Sequence, residues 1–345
     1  MNSSVSKTKQ PTHHIPKYFG IALAVGFILL TISVVISFLF GSKVVGIDGI
    51  IDGLFHPSVD SYDANIIRKR IPRTVFSLLC GVALGVSGAL MQSVTRNPLA
   101  DPSILGVNTG AALFVVIGIA FFNISSANQY IWIALVGAAI TTVIVFGIGS
   151  MGRNGATPIK LVLAGTAISA ALSSFVTAIL IPRSHTMDQF RFWQVGSVGS
   201  GSWDSVLTFI PFLVVGMLIA ILTAPALNAM ALGDEAATSL GVKTGFLRFI
   251  SSFGAVLLCG AATALAGPIG FIGLLSTHLM RLVLGSDLRF VIPMSALSGA
   301  ILLTLSDVVG RLIGSPGELE VGVVTAFIGA PLLITLAIRL KVSSI

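Results

Sequence analysis

Apolar stretches of about 20 residues, each bounded by Gly, Pro or a charged residue, recur along the whole chain. A helix of that length crosses a hydrocarbon layer about 30 Å thick, and inside such a layer every backbone N–H and C=O must be bonded within the structure. The chain is therefore expected to be all-α and to span a membrane about ten times, with helices near 18–40, 73–94, 104–122, 130–150, 160–181, 204–224, 247–266, 268–284, 289–309 and 320–339. The seventh and eighth are divided only by Gly267-Pro268-Ile269-Gly270. Ten spans consume roughly 200 residues, which leaves loops and termini but no separate soluble domain. One transmembrane domain over 18–345 is expected, behind a cytoplasmic tail, 1–17, that reads as disordered. Composition agrees, since 10% of residues are charged against about 25% in a soluble domain.

The net charge of +7 does not indicate nucleic-acid binding, because the basic residues are scattered singly between apolar runs. Lys and Arg at membrane-helix ends set topology and meet lipid head groups. Their distribution favours both termini on the cytoplasmic side, although Arg68, Lys69, Arg70 and Arg73 then cluster outside, against the tendency. Two accounts of that cluster stay open: an anchor to lipid phosphates, or a dock for an external protein. The first apolar run is too long for a signal-peptide core and lacks an A-x-A cleavage pattern, so it reads as the first span. Cys80 and Cys259 lie inside apolar runs and read as small hydrophobes.

Leu78-Leu79-Cys80-Gly81-Val82-Ala83-Leu84-Gly85-Val86-Ser87-Gly88 aligns with Leu257-Leu258-Cys259-Gly260-Ala261-Ala262-Thr263-Ala264-Leu265-Ala266-Gly267, six identities in eleven. The copies fall in the second and seventh spans, an odd separation that gives an inverted repeat. Thr166, Ser169, Ser173 and Thr177, in the fifth span, recur at spacings of three and four and form one weakly polar stripe. Such a stripe lines a translocation path, or else bonds a neighbouring helix or its own preceding turn.

Ion-coupled transporters place ionisable groups deep in the membrane. Here only the eighth run carries any away from its ends, His278 and Arg281, and no acid sits at mid-depth. The energy is therefore expected to enter from outside the bilayer. The chain has no G-x-x-x-x-G-K-[ST] phosphate cradle, so an ATPase has to be a separate subunit docked on a cytoplasmic loop. The loop between the sixth and seventh spans, Leu232 to Val242, predicts a short helix of about two turns. Asp234 and Glu235 suit its N-terminus, and Gly241 suits a left-handed C-terminal cap.

Glu235-Ala236-Ala237 followed by Gly241 resembles the E-A-A-x-x-x-G coupling signature of ABC-importer permeases. From about Arg70 to Arg339 the chain is similar to the FecCD, or type II, permeases that import ferric siderophores, haem and cobalamin. The likeness is carried in order by Arg70-Ile71-Pro72-Arg73, Gly88-Ala89-Leu90-Met91-Gln92, Asn97-Pro98-Leu99-Ala100-Asp101-Pro102, Leu105-Gly106-Val107, the coupling segment, Gly267-Pro268-Ile269-Gly270-Phe271-Ile272-Gly273-Leu274, and Gly329-Ala330-Pro331. It implies a permease dimer with the path along its interface, two ATPase subunits that bind ATP and Mg, an external substrate-binding protein, and no cofactor on this chain. It further implies ATPase coupling through Asp234, Glu235, Ala236, Ala237 and Gly241. Asn97, Pro98 and Leu99 with Gly155, Ala156 and Thr157 become a cytoplasmic gate, and Arg70, Arg73 and Arg311 a dock for the binding protein.

The five His residues show no ligand spacing and the acids are dispersed, which argues against a fixed metal site and against a catalytic centre. Iron would travel inside its chelator. A ferric siderophore leads as cargo, with haem, cobalamin and an ion-coupled secondary transporter as the alternatives.

Overall fold

The computed structural model describes residues 18–124, 126–152 and 157–342, so the expectation for the tail, 1–17, lies outside the described residues. Those residues form helices and no strand. In chain order the α-helices are α1 (Phe19–Leu39), α2 (Ile47–Phe55), α3 (Tyr62–Thr95), α4 (Val107–Phe122), α5 (Ala127–Gly149), α6 (Pro158–Leu180) and α7 (Ser184–Gln194). They continue with α8 (Trp203–Met230), α9 (Asp234–Ser239), α10 (Thr244–Ala266), α11 (Ile272–Leu284), α12 (Leu288–Ile313) and α13 (Val321–Val342). Seven of them, α1, α3, α5, α6, α8, α10 and α12, are long and apolar enough to cross a membrane, and α4, α11 and α13 are shorter apolar helices. Together they occupy the ten expected positions.

The departures have physical causes. α3 starts at Tyr62 and runs through Pro72, so the basic cluster lies inside a helix instead of in the loop before one. Ser61 caps the true start by accepting from the Ala64 N–H at 3.2 Å, a signal stronger than the proline that marked the expected start. α8 likewise continues through Pro225, itself exposed, to Met230. α11 begins at Ile272 and not at 268, since Gly267 and Phe271 both hold a positive φ that no helix accommodates. The short helices α2 and α7 were not anticipated, being too brief and polar to register as spans.

α3 is the centre of the bundle, with 78% of its most apolar window buried against 11% for α1 and 17% for α6. One glycine face explains how. A methyl group on Gly81, Gly85 or Gly88 would overlap backbone of Gly299 and Ala300, of Ser295, and of Gly273 respectively. α12 and α11 therefore approach α3 backbone to backbone, where lipid-solvated helices gain attraction from close packing. The aligned glycines of the internal repeat are used differently: Gly260 faces the Ala138 side chain at 3.5 Å from where a Cβ would sit, and Gly267 ends α10.

Candidate functional site

Ionic clusters sit at opposite ends of the bundle. At the first, α9 is a six-residue helix held between α8 and α10. Gly233 and Gly241 flank it with φ of +118° and +83°, so the chain turns sharply into and out of it. Ala237 is buried, whereas Leu232, Glu235, Thr238, Ser239 and Leu240 face outward. Its first residue, Asp234, turns inward. Both carboxylate oxygens accept from Arg248 Nη2 of α10, at 2.8 and 2.9 Å, and the carboxylate also pairs with Arg96 at the end of α3. Arg96 Nη2 also donates to the Met230 carbonyl of α8. Burial pushes the Asp234 carboxyl up, but the bonds and charge of Arg248 and Arg96 outweigh it and hold the group below the ordinary carboxylate range.

Arg96 adopts the left-handed conformation, φ 51°, and leads directly into the expected gate loop. There the Asn97 side-chain oxygen accepts from the Leu99 N–H at 3.0 Å and its carbonyl from the Ala100 N–H at 3.1 Å, which makes the Asn97-Pro98 turn. Of the other expected gate residues, Gly155 and Ala156 lie outside the described residues. Thr157 caps α6, accepting from the Lys160 N–H at 3.5 Å. One carboxylate thus ties α9 to the root of the Asn97-Pro98 turn. Arg96 and Arg248 were not foreseen, because nothing local marks a pair separated by 138 or 14 residues.

At the opposite end the structure brings Arg70, Arg73 and Arg311 together, but with their side chains turned inward. Arg70 is 7% exposed and Arg311 2%. Arg70 donates to the Phe38 and Lys43 carbonyls, both at 2.6 Å. Arg311 donates to the Ser37 and Phe40 carbonyls at 3.1 Å and to the Ser37 hydroxyl at 2.8 Å. The last carbonyls of a helix have no partner in the helix itself, and these guanidiniums supply one for α1. Arg73 donates to Asp307 at 2.7 Å and to Glu318 at 2.7 Å, and Asp307 also lies 3.1 Å from Arg311 Nε. Arg70 and Arg311, expected with Arg73 to dock an external protein, are both buried and bonded within the chain. Asp307, four residues before Arg311, was the legible sign of that pairing.

The α6 stripe keeps its exposure. Thr166, Ser173 and Thr177 are exposed and Ser169 is half-buried. Thr166 donates to the Leu163 carbonyl at 3.0 Å and Thr177 to the Ser173 carbonyl at 2.9 Å, while Ser169 accepts from Thr109 of α4 at 3.0 Å. Two of the four hydroxyls, those of Thr166 and Thr177, thus bond within their own helix, and that of Ser169 bonds a neighbouring one.

The comparisons with known proteins agree with this layout. The FecCD transport family profile matches residues 29–339. The chain is 42% identical over 314 residues to the ferric enterobactin transport system permease protein FepD of Escherichia coli, covering 90% of this chain and 93% of that one. It is also 42% identical over 284 residues to the siderophore transport system permease protein YfiZ of Bacillus subtilis, covering 82% and 85%. Among solved structures, a metal-chelate type ABC transporter in an inward-facing conformation superposes with a TM-score of 0.81 at 27% identity, covering 93% of this chain and 99% of that one. The ten apolar helices and these relatives make the protein a multi-pass membrane permease. The chain belongs to the FecCD transport family.

Proposed function

We propose that this chain is the permease subunit of an ABC importer that carries a ferric siderophore or a similar iron chelate across the cytoplasmic membrane. Two permeases would enclose the path, two ATPase subunits would bind ATP and Mg and drive it, and an external binding protein would deliver the cargo. The α9 end faces the cytoplasm, with both termini on that side. The observation that carries the reading is α9 itself: a short helix that shows Glu235, Leu232 and Leu240 to solvent while Asp234 anchors it to α3 and α10. An ATPase that grips the outer face can pull on Arg96 and so on the turn at Asn97. The names of the relatives at 42% identity support the cargo class.

The coupling role and the cargo are tested together in a strain lacking this permease, by complementation and uptake of radiolabelled iron supplied as different chelates. Restored uptake of one ferric chelate, abolished when the partner ATPase is inactivated, is the expected result. Uptake that persists without ATP hydrolysis and collapses with the proton gradient would overturn it.

A further inference from the structure

Beside the Arg96 corner, with Pro98 of the Asn97-Pro98 turn in its wall, lies a cleft of about 250 Å³. Its polar lining is Gln92, Ser93, Arg96, Asn228, Arg281 and Ser286, from the ends of α3, α8 and α11. The charges do not balance. Arg281 is half-buried and donates to the Ser93 hydroxyl at 3.0 Å, its Nε has no protein partner, and no carboxylate pairs with it among the described residues. Arg96 shares its one carboxylate, Asp234, with Arg248. Asp287, next in the chain to Ser286, is committed to Arg289 at 2.6 Å and to Asn228 at 2.7 Å. A guanidinium withdrawn from water without a counter-ion is costly.

A second observation points the same way. Gln92 is 2% exposed and lines this cleft, yet neither its amide nitrogen nor its amide oxygen meets a partner in the protein. Buried amides are nearly always bonded. The Ser93 hydroxyl is spent on the Ala89 carbonyl and the Asn228 amide on Asp287 and the Leu288 N–H, which leaves the guanidiniums of Arg281 and Arg96 and the amide of Gln92 converging here, N–H donors suited to a tetrahedral oxyanion, which arginine grips through parallel bonds. Pro98, Leu227, Ala231 and Leu288 complete the wall, and the cleft lies at the level of the helix ends, where lipid head groups meet basic side chains.

We infer that this cleft binds a phosphate group, whether the head group of an anionic phospholipid or free phosphate. The intact transporter, reconstituted in nanodiscs, tests it. Thermal unfolding is followed in phosphatidylcholine discs titrated with inorganic phosphate, with chloride at matched ionic strength as control, and in discs containing phosphatidylglycerol. A binder of the folded state raises the midpoint, and the rise grows with the logarithm of ligand concentration above Kd. A rise with inorganic phosphate in phosphatidylcholine discs identifies free anion as the source, and a rise only with phosphatidylglycerol identifies the head group. In either case Arg281→Gln should weaken the response roughly tenfold or more, as expected for losing a charged hydrogen-bond donor. Gln92→Leu, which fills the same space without polar atoms, should weaken it as well and carries the test alone should Arg281→Gln misfold. A flat midpoint in both kinds of disc, or an equal rise in parent and Gln92→Leu, would overturn the site and leave water as the partner of these groups.

Discussion

Asp307 and Asp234 each bridge two arginines, yet Asp307 is 3% exposed and Asp234 44%. The first lies among α1, α3 and α12 with no route for water, so its charges hold one arrangement and are costly to separate. The second is wetted on one side, where solvent screens the attraction and replaces it cheaply when the groups part. Burial, and not the chemistry of the pairs, separates a fastening from a joint. A joint is what a coupling helix requires, and a fastening is what α1 requires, because so little of its own surface is packed.

Breaking the fastening should have the largest effect on stability. Asp307→Asn leaves Arg73 and Arg311 without their shared counter-charge and should cost about 3–5 kcal/mol, read as a lowered unfolding midpoint in detergent. A loss below about 1 kcal/mol would mean that the cluster does not hold α1. The joint should respond differently. Asp234→Asn should cost less, about 1–3 kcal/mol, because Asp234 is wetted although its partner Arg248 is buried, while uptake falls and ATP hydrolysis continues uncoupled. Asp234→Glu should recover part of the uptake. Unchanged uptake in Asp234→Asn would remove the link between α9 and the gate turn.

The acid response sharpens the same contrast. The Asp234 carboxyl is held below its ordinary value, so its contribution is present above the unfolded-state value and is lost only as pH falls through the lower folded one. Protease cleavage at the α9 loop should therefore stay constant between pH 5 and 8, and a rise within that window would contradict the pairing. Glu235→Lys puts a cation at a helix N-terminus at a local cost of about 0.3–1 kcal/mol. Membrane insertion should persist while uptake and substrate-stimulated ATP hydrolysis drop, since the outward face of α9 is the proposed ATPase grip. Ser173→Phe, on the exposed face of α6, should leave stability near the parent and yet block uptake. Normal transport by that variant would take the stripe out of the path.

The ten spans were legible because a hydrocarbon solvent demands runs of a set length, and each run declares itself by composition alone. Helix ends were less legible. Pro72 and Pro225 resemble stops, yet α3 and α8 pass through them, Pro72 in the buried core and Pro225 on an exposed face. The coupling helix was readable in detail, from the acids at Asp234 and Glu235 to the left-handed Gly241, because caps and charge–dipole matches are local.

Partners remote in sequence were a different matter. The arginines at 70, 73 and 311 read as surface charge because a sequence counts a guanidinium without saying what it faces. Only the fold shows that the carbonyls at the end of α1, with Asp307 and Glu318, absorb them. By itself, then, the sequence determined an all-helical membrane permease, the short helix α9 and the family. The tertiary structure decided which charges are spent inside and which remain for partners. Span count and caps follow from interactions within about one helical turn or one bilayer thickness, whereas the fate of a buried charge depends on what the whole chain brings against it.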